Sequence, residues 1–393
     1  MVLSLVEQIF ASGFTFFIFI CATRLLADSE LEMYTALFSL NQSFAFFLFG
    51  LVLLPMSSAA GEEAGKQLGI SLVLMAGLLL AFAGIAPVVM DVFAGFKGTV
   101  DARTWGLVVA FFAAQCGYES ARWLSIRLRG GPPALIVTLL RFALFFGVIL
   151  GLGASRLDAT RFALIQIGVN TLSVLGYGLL VGRRVGEVRL ALPDRAALKH
   201  LATFGNSVAS FLTNFTVVAL VDRGLGSGGL AAFQAIRSAT NPIGLISQVL
   251  DNHFSADLAR TGRRPERKAK GMTIALILAA LLMALGTLFA PKINALLFDG
   301  KFDEYGLLIP LLLLASLAHA LTRPIFVGWR IGNDSAALNL YSLALIVVVL
   351  PLLLLSGLMS LSYTMIALFA CVPVAALVID LIRRPVVPEG EKI

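Results

Sequence analysis

Charge is scarce in this sequence. Asp, Glu, Lys and Arg make up 13% of the 393 residues, against 59% that are hydrophobic, where an ordinary soluble domain carries about 25% charge. That shortage excludes a water-soluble globular fold and leaves the bilayer as the solvent. Cysteine is scarce too: Cys21, Cys116 and Cys371 are the three in the chain. All fall in apolar runs, at spacings that suit neither a disulfide framework nor a thiolate metal site, so they read as packing residues. Histidine is limited to His200, His253 and His319. With no Ser/His/Asp constellation, no phosphate-cradling loop and no metal-ligand spacing, the chain is not expected to be an enzyme or to hold a cofactor. The short alternating segments of a membrane β-barrel are missing. No cleavable leader is expected, because the first apolar stretch begins at the N-terminus. No connection offers room for a soluble domain, and no nucleic-acid partner is expected.

What is present is a succession of apolar runs. Mean hydropathy is +0.92, and uncharged runs of about 18 or more residues recur, each long enough to cross a ~30 Å hydrocarbon layer as a helix. The pattern predicts twelve spans, at 5–25, 33–57, 68–92, 104–124, 133–153, 161–182, 200–221, 230–250, 271–291, 305–324, 336–356 and 360–381. Residues 335–379 carry no charge, and Ser356, Gly357 and Ser360 supply the break that makes two helices there. The predicted class is therefore an all-α polytopic membrane protein. With the N-terminus cytoplasmic, 20 of the 30 Lys and Arg fall on the cytoplasmic side and 8 on the other, leaving Arg141 and Arg237 inside spans. This bias predicts both termini cytoplasmic.

The most informative stretch is 204–260. It reads as two spans joined by a Gly-rich turn, the first with a polar stripe at Asn206, Ser210, Thr213 and Asn214, the second interrupted by Arg237, Ser238, Thr240, Asn241 and Pro242. Polar groups in hydrocarbon cost several kcal/mol each unless they face a partner or a wet cavity, so this pair is expected to line an interior space. A fainter copy lies 199 positions earlier. Arg223 falls on Arg24, Leu230 on Leu31, Phe233 on Tyr34 and Ser238 on Ser39, and the polar stripe meets Glu7, Gln8, Ser12 and Thr15. Ala290–Pro291 falls on Ala86–Pro87 and Arg323 on Arg122 at nearly the same offset. The common offset predicts two six-helix lobes, 1–182 and 200–393, joined by a cationic linker at 183–199. An even number of helices per lobe makes the repeat parallel, about an axis along the membrane normal.

Two arginines stand deep in spans. Arg141 and Arg237 lie about 10–12 Å in at 1.5 Å per residue. Each either snorkels or pairs with a carboxylate, or lines an anion-binding cavity, since the guanidinium keeps its charge when desolvated and offers a fork to an oxyanion. Arg24 and Arg223 cap the matching helices of the two halves, and Asp222 stands beside Arg223. In the fourth span Gln115, Glu119 and Arg122 share a face, as Ser316, His319 and Arg323 do in the tenth; these are either cavity gates or ordinary flanking cations. Glu7, Glu119, Asp251 and His319 are the candidates for coupling to H+ or Na+. Glu7, so near the N-terminus, is expected at the interface. The basic run 260–270 is expected to touch anionic membrane lipid.

The stretch VDRGLGSGGLAAFQAIRSATNPIGLISQVL, with the first-half stretch from Arg24 to Ser57, resembles the polysaccharide-transport branch of the multidrug/oligosaccharidyl-lipid/polysaccharide exporter superfamily. There too the second lobe begins with a polar helix, an Asp-Arg, a Gly-rich turn and an Ala-Arg-Ser helix. The resemblance implies a V-shaped carrier in a bacterial inner membrane, working as a monomer beside polysaccharide-assembly enzymes. It would flip a polyprenyl-pyrophosphate-linked saccharide, with Arg24, Arg141, Arg223 and Arg237 on the pyrophosphate and Asn214 and Asn241 beside them. The alternatives are an ion-coupled small-molecule or multidrug exporter of the same fold, and a membrane polymerase or ligase of surface glycans.

Overall fold

The computed structural model describes the chain except residues 1, 54–63, 97–99, 130, 154–155, 182–187, 189, 192–201, 227, 240–276, 279, 282–283, 332–334, 356–359 and 384–393. The linker, Asp251, the basic run 260–270 and Asn241 thus lie outside the described residues. Within them the regular structure is helical throughout. The helices are α1 (Val2–Leu25), α2 (Asp28–Leu48), α3 (Ala64–Met90), α4 (Ala102–Arg129), α5 (Gly131–Leu152) and α6 (Ala159–Val181). Next come α7 (Ala202–Gly224) and α8 (residues 229–239), then α9 (Ala290–Phe298), α10 (Leu308–Ile331), α11 (Ser335–Leu355) and α12 (Leu361–Arg383).

Local chemistry sets the helix ends. Asp101 accepts the Thr104 N–H at 2.7 Å ahead of α4, and Asp158 accepts the Arg161 N–H at 2.7 Å ahead of α6, each satisfying a donor of the first turn. The bond from Thr104 holds the Asp101 carboxyl below its usual range. Arg24 and Arg223 close the last turns of α1 and α7, where a cation complements the helix dipole. Between α7 and α8 the chain reverses through Gly226 and Gly228, both at positive φ, a conformation that L side chains resist.

Six described segments are long and apolar enough to cross a membrane: Val6–Leu25, Asp28–Leu53, Leu68–Met90, Pro132–Leu152, Ala159–Val181 and Leu361–Arg383. Helix α4 is too charged to join them, yet it packs along α6 and against α3 and α5, with Phe111, Phe112, Cys116, Tyr118 and Arg122 buried. Arg122, deep in its second half, is buried against protein, as an intramembrane charge must be.

Helices α1 to α6 pack on one another chiefly through α4 on α6, α1 on α5 and α5 on α6. Among the later helices α7 lies on α11, and α10 and α11 on α12. Helix α2 bridges the two groups by packing along α7. There Phe44 and Phe47 meet Phe211 at ring-centroid distances of 4.9 and 5.0 Å. Helices α1 and α7 end at Leu25 and Gly224, the same 199-residue offset as the sequence repeat. One matched pair diverges: Pro87 lies inside α3, whereas Pro291 opens the separate helix α9. Helix α2 ends in a π-helical turn, Phe49–Leu53, a distortion common beside functional sites.

Candidate functional site

The first halves of α1 and α5 and the second halves of α2 and α4 start or finish on the side of the membrane that holds the N-terminus, here the N-terminal face. Between them lies a cavity of about 340 Å³. Gln8, Ser12 and Thr15 reach it from α1, Asn41, Gln42 and the π turn from α2, Gln115, Glu119 and Arg122 from α4, and Arg141 from α5. Phe38, Phe111, Phe112 and Trp123 supply an apolar remainder. Aromatic and other apolar surface thus alternates with fixed polar and charged groups, a combination that can bind and orient a small molecule.

Arg141 is 3% exposed, and its guanidinium is stacked between the rings of Phe14 and Tyr118, 3.8 and 3.7 Å from their centroids. Its Nε donates to Asn170 Oδ1 at 3.0 Å. Among the described residues no carboxylate pairs with it. The two rings contribute about 0.5–2 kcal/mol each to holding the charge and fix the plane of the group, so its outer N–H edge is left for a ligand. Asn170 is itself oriented: its Nδ2 donates to Gln115 Oε1 at 3.0 Å, and Gln115 Nε2 donates to Glu119 Oε1 at 3.3 Å. A chain of two amides therefore runs from the cation to a carboxylate, each polarised in one sense by its charged end.

Glu119 belongs to a second cluster. Arg122 Nε and Nη2 donate to Glu7 Oε1 and Oε2 at 2.7 and 2.9 Å, Nη2 also to Gln8 Oε1 at 2.5 Å, and Nη1 to Glu119 Oε2 at 3.3 Å. Thr138 donates to Glu7 Oε1 at 2.9 Å and meets the Tyr177 hydroxyl at 3.1 Å. Glu7 is 0% exposed. Near the start of the span Val6–Leu25, it is enclosed by protein, and Arg122 and Thr138 reach it from α4 and α5 to compensate its charge. Glu7 and Glu119, far apart in the chain, share one guanidinium.

The remaining predicted residues lie elsewhere. Arg24 is at the opposite end of α1, on what we term the far face. There Nη2 donates to Leu296 O at 2.6 Å and to Asp299 Oδ1 at 3.2 Å, and Nε donates to Leu297 O at 3.2 Å. Lys301 pairs with Asp28 at 2.8 Å and donates to Thr23 O at 3.2 Å, tying α9 and its following loop to the α1–α2 corner. The Gly228 N–H donates to Glu32, and the Ala94 N–H to Asp222 at 2.7 Å. Asp222, next to Arg223 in the chain, thus holds the turn after α3, and Arg223 is exposed. Arg237 Nη1 donates to Asn214 Oδ1 at 2.8 Å, while Asn214 Nδ2 donates to Ser43 Oγ at 2.8 Å and Gln234 Nε2 to Ser39 Oγ at 2.7 Å. This makes a polar knot where α2, α7 and α8 meet. His319 and Arg323 are on α10, and their side chains are outside the described set.

Reasoning from the sequence brought Glu7, Glu119, Arg122 and Arg141 into consideration and missed Phe14, Tyr118, Asn41 and Asn170. The alignment of Gln8, Ser12 and Thr15 with the later polar stripe was a usable signal: all three line the cavity.

No family profile and no curated protein matches the sequence. Solved structures resemble the fold. An inward-facing multidrug resistance MATE family transporter of the MOP superfamily is similar at a TM-score of 0.65 with 16% identity, over 95% of this chain and 93% of that one. An outward-facing MATE family transporter of the MOP superfamily is similar at 0.57 with 13% identity, over 98% and 95%. A MOP superfamily transporter from Pyrococcus furiosus, described as having a binding pocket of reverse polarity that suggests a different function, is similar at 0.60 with 14% identity, over 97% and 93%. At such identities the likeness is one of fold: this chain is a multi-pass, all-helical membrane protein built like the MATE transporters.

Proposed function

We propose that the chain is a secondary carrier for small amphiphilic organic anions, worked by alternating access of two helical lobes, 1–182 and 200–393. Arg141 carries the reading. It is a buried guanidinium on a cavity wall with no carboxylate partner among the described residues, and its N–H edge is directed by two rings. Leaving a buried charge unpaired costs several kcal/mol, a cost offset when an anionic ligand completes the site. The cavity volume of about 340 Å³ falls within the range of about 300–1,000 Å³ typical of small-molecule sites. The contacts from Arg24, Lys301, Glu32 and Asp222 across the far face, with the cavity in the other half of the membrane, support an inward-open state. The higher TM-score to the inward-facing neighbour fits that assignment. The Lys and Arg bias supports a cytoplasmic N-terminal face; on this reading the membrane is a bacterial inner membrane and the carrier draws on an H+ or Na+ gradient.

Flipping of a lipid-linked oligosaccharide is the weaker reading. It needs Arg24, Arg141, Arg223 and Arg237 to converge on a pyrophosphate. Instead Arg24 and Arg223 are at the far face, Arg237 is in the knot on Asn214, and Arg141 alone of the four lines the described cavity. Two of the similar structures are multidrug resistance transporters, which favours a small cargo. Calorimetric titration of hexanesulfonate into the purified full chain in nanodiscs tests the proposal. Arg141→Lys, which keeps the charge but loses the fork and the stacking, should weaken binding about tenfold, and Arg141→Gln should abolish it. Wild-type binding by the Gln variant, or none by the parent, refutes it.

A further inference from the structure

Resting on that anion reading, we infer that the same cavity carries a second, ammonium-binding subsite formed by Glu119 and Asn41, so that the preferred cargo is a zwitterion with an apolar body.

The charges on the wall lead to this. Arg122 is one cation between two carboxylates. Glu7 takes two short bonds from it in a fully buried, bidentate pair, while Glu119 receives one N–H at 3.3 Å and keeps its side chain 27% exposed to the cavity. The negative charge left over therefore belongs to Glu119, and the positive charge left over is that of Arg141. Two amides, Gln115 and Asn170, stand between them, so the two charges do not neutralise one another in an ion pair. The Gln115 amide touches the Glu119 carboxylate at 3.3 Å, so the spacing between the two charges is set by two amides and three hydrogen bonds in series. The wall thus has a cationic end and an anionic end separated by the length of a short alkyl chain.

Asn41 gives an independent sign of the same ligand. It is 3% exposed and lines the cavity from α2. Its Nδ2 donates to Leu37 O at 2.8 Å, which fixes the amide, and its Oδ1 has no hydrogen-bond partner. The neighbouring Gln42 Oε1 on the same wall is likewise unpartnered. Buried acceptors left unsatisfied are costly. An ammonium N–H group supplies the donors they need; a plain anion does not. Trp123 and Phe49, 6.0 Å apart edge to face beside Glu119 on the cavity wall, offer aromatic surface to the adjoining methylenes.

The experiment compares ω-aminoalkanesulfonates of increasing chain length with alkanesulfonates and alkylammonium ions of matched length, binding to the full-length protein in nanodiscs. The parent should bind the aminosulfonate about tenfold more tightly than the sulfonate, with an optimum chain length, and the alkylammonium weakly. Glu119→Gln should erase that advantage, so that the aminosulfonate binds no more tightly than the sulfonate of matched length. Gln42→Met, which leaves the ion cluster untouched, should reduce it about threefold and serves if Glu119→Gln does not fold. An amino group that weakens binding at every length overturns the ammonium subsite, and so does an advantage that survives both variants. In either case the anion site stands if Arg141→Gln still loses the sulfonate; sulfonate binding by Arg141→Gln at the parent's level removes both.

Discussion

Replacing Arg24 and Lys301 together with Ala should open the far face. Arg24 contributes a charged bond to Leu296 O at 2.6 Å, a longer one to Leu297 O and a pair with Asp299 whose side chains are 42% and 69% exposed. Pairs as exposed as these are worth about 0–1 kcal/mol, and a charged bond to a carbonyl at a wet corner about 1 kcal/mol after solvent competition. Arg24 thus stabilises the closed far face by about 2 kcal/mol, and Lys301, on Asp28 and Thr23 O, by about 1 kcal/mol on the same scale. The two share one corner, so their sum of about 3 kcal/mol is an upper bound. At 1.4 kcal/mol per factor of ten, the ratio of closed to open falls by roughly 30- to 100-fold. Spin labels on the exposed positions Arg156 and Lys292, in a background with Cys21, Cys116 and Cys371 replaced, report the change by pulsed dipolar spectroscopy. The double variant should gain a longer-distance population that the parent lacks, and high salt should move the parent the same way by screening the exposed pairs. An unchanged distance distribution in the variant would refute the assignment of this seam as the closing contact.

Two further outcomes follow from the packing. Glu7→Gln leaves the Arg122 guanidinium, 4% exposed, without its bidentate partner and should cost about 3 kcal/mol; adding Arg122→Met should restore more than half of the lost thermal stability, and a Glu7→Gln protein that melts with the parent would contradict the buried pair. Gly95→Ala puts a Cβ 2.7 Å from Glu32 O and 3.0 Å from Ala36 Cβ. An overpacked site costs about 1–3 kcal/mol, and here the displaced turn also carries the Ala94 N–H to Asp222 bond, so both the melting temperature and the closed far-face population should drop.

What could be read from the sequence divides along physical lines. Helices announce themselves locally, through apolar runs, glycine turns and capping aspartates, so α1 to α7 and α10 to α12 fall close to the predicted spans. The expected repeat has one echo in the structure: Arg24 and Arg223 close α1 and α7 at the same 199-residue offset. Arg141 was conspicuous because a charge inside an apolar run has few explanations. Its surroundings were not legible: Phe14, Tyr118 and Asn170 arrive from α1, α4 and α6, and periodicity within one helix says nothing of which ring will stack on which cation. The enclosure of Glu7 was not legible for the same reason. Distance from the terminus along the chain is local information, whereas burial depends on Arg122 and Thr138, 115 and 131 positions away.

The orientation of Gln115 and Asn170 shows most plainly what only the assembled fold determines. An amide has a donor end and an acceptor end, and in isolation neither direction is preferred. With a carboxylate at one end of the pair and a guanidinium at the other, only one sense satisfies all three bonds: Gln115 must give its N–H to Glu119, Asn170 must give its N–H to Gln115, and Asn170 must turn its oxygen to Arg141. Reversing either amide sets two donors or two acceptors face to face, at a cost of about 1–3 kcal/mol for each unsatisfied group. The two charges therefore keep each other's holders in place without touching. That leaves the guanidinium fixed by three neighbours, none of which cancels its charge, and a group so held can complete its coordination with an anion brought from outside.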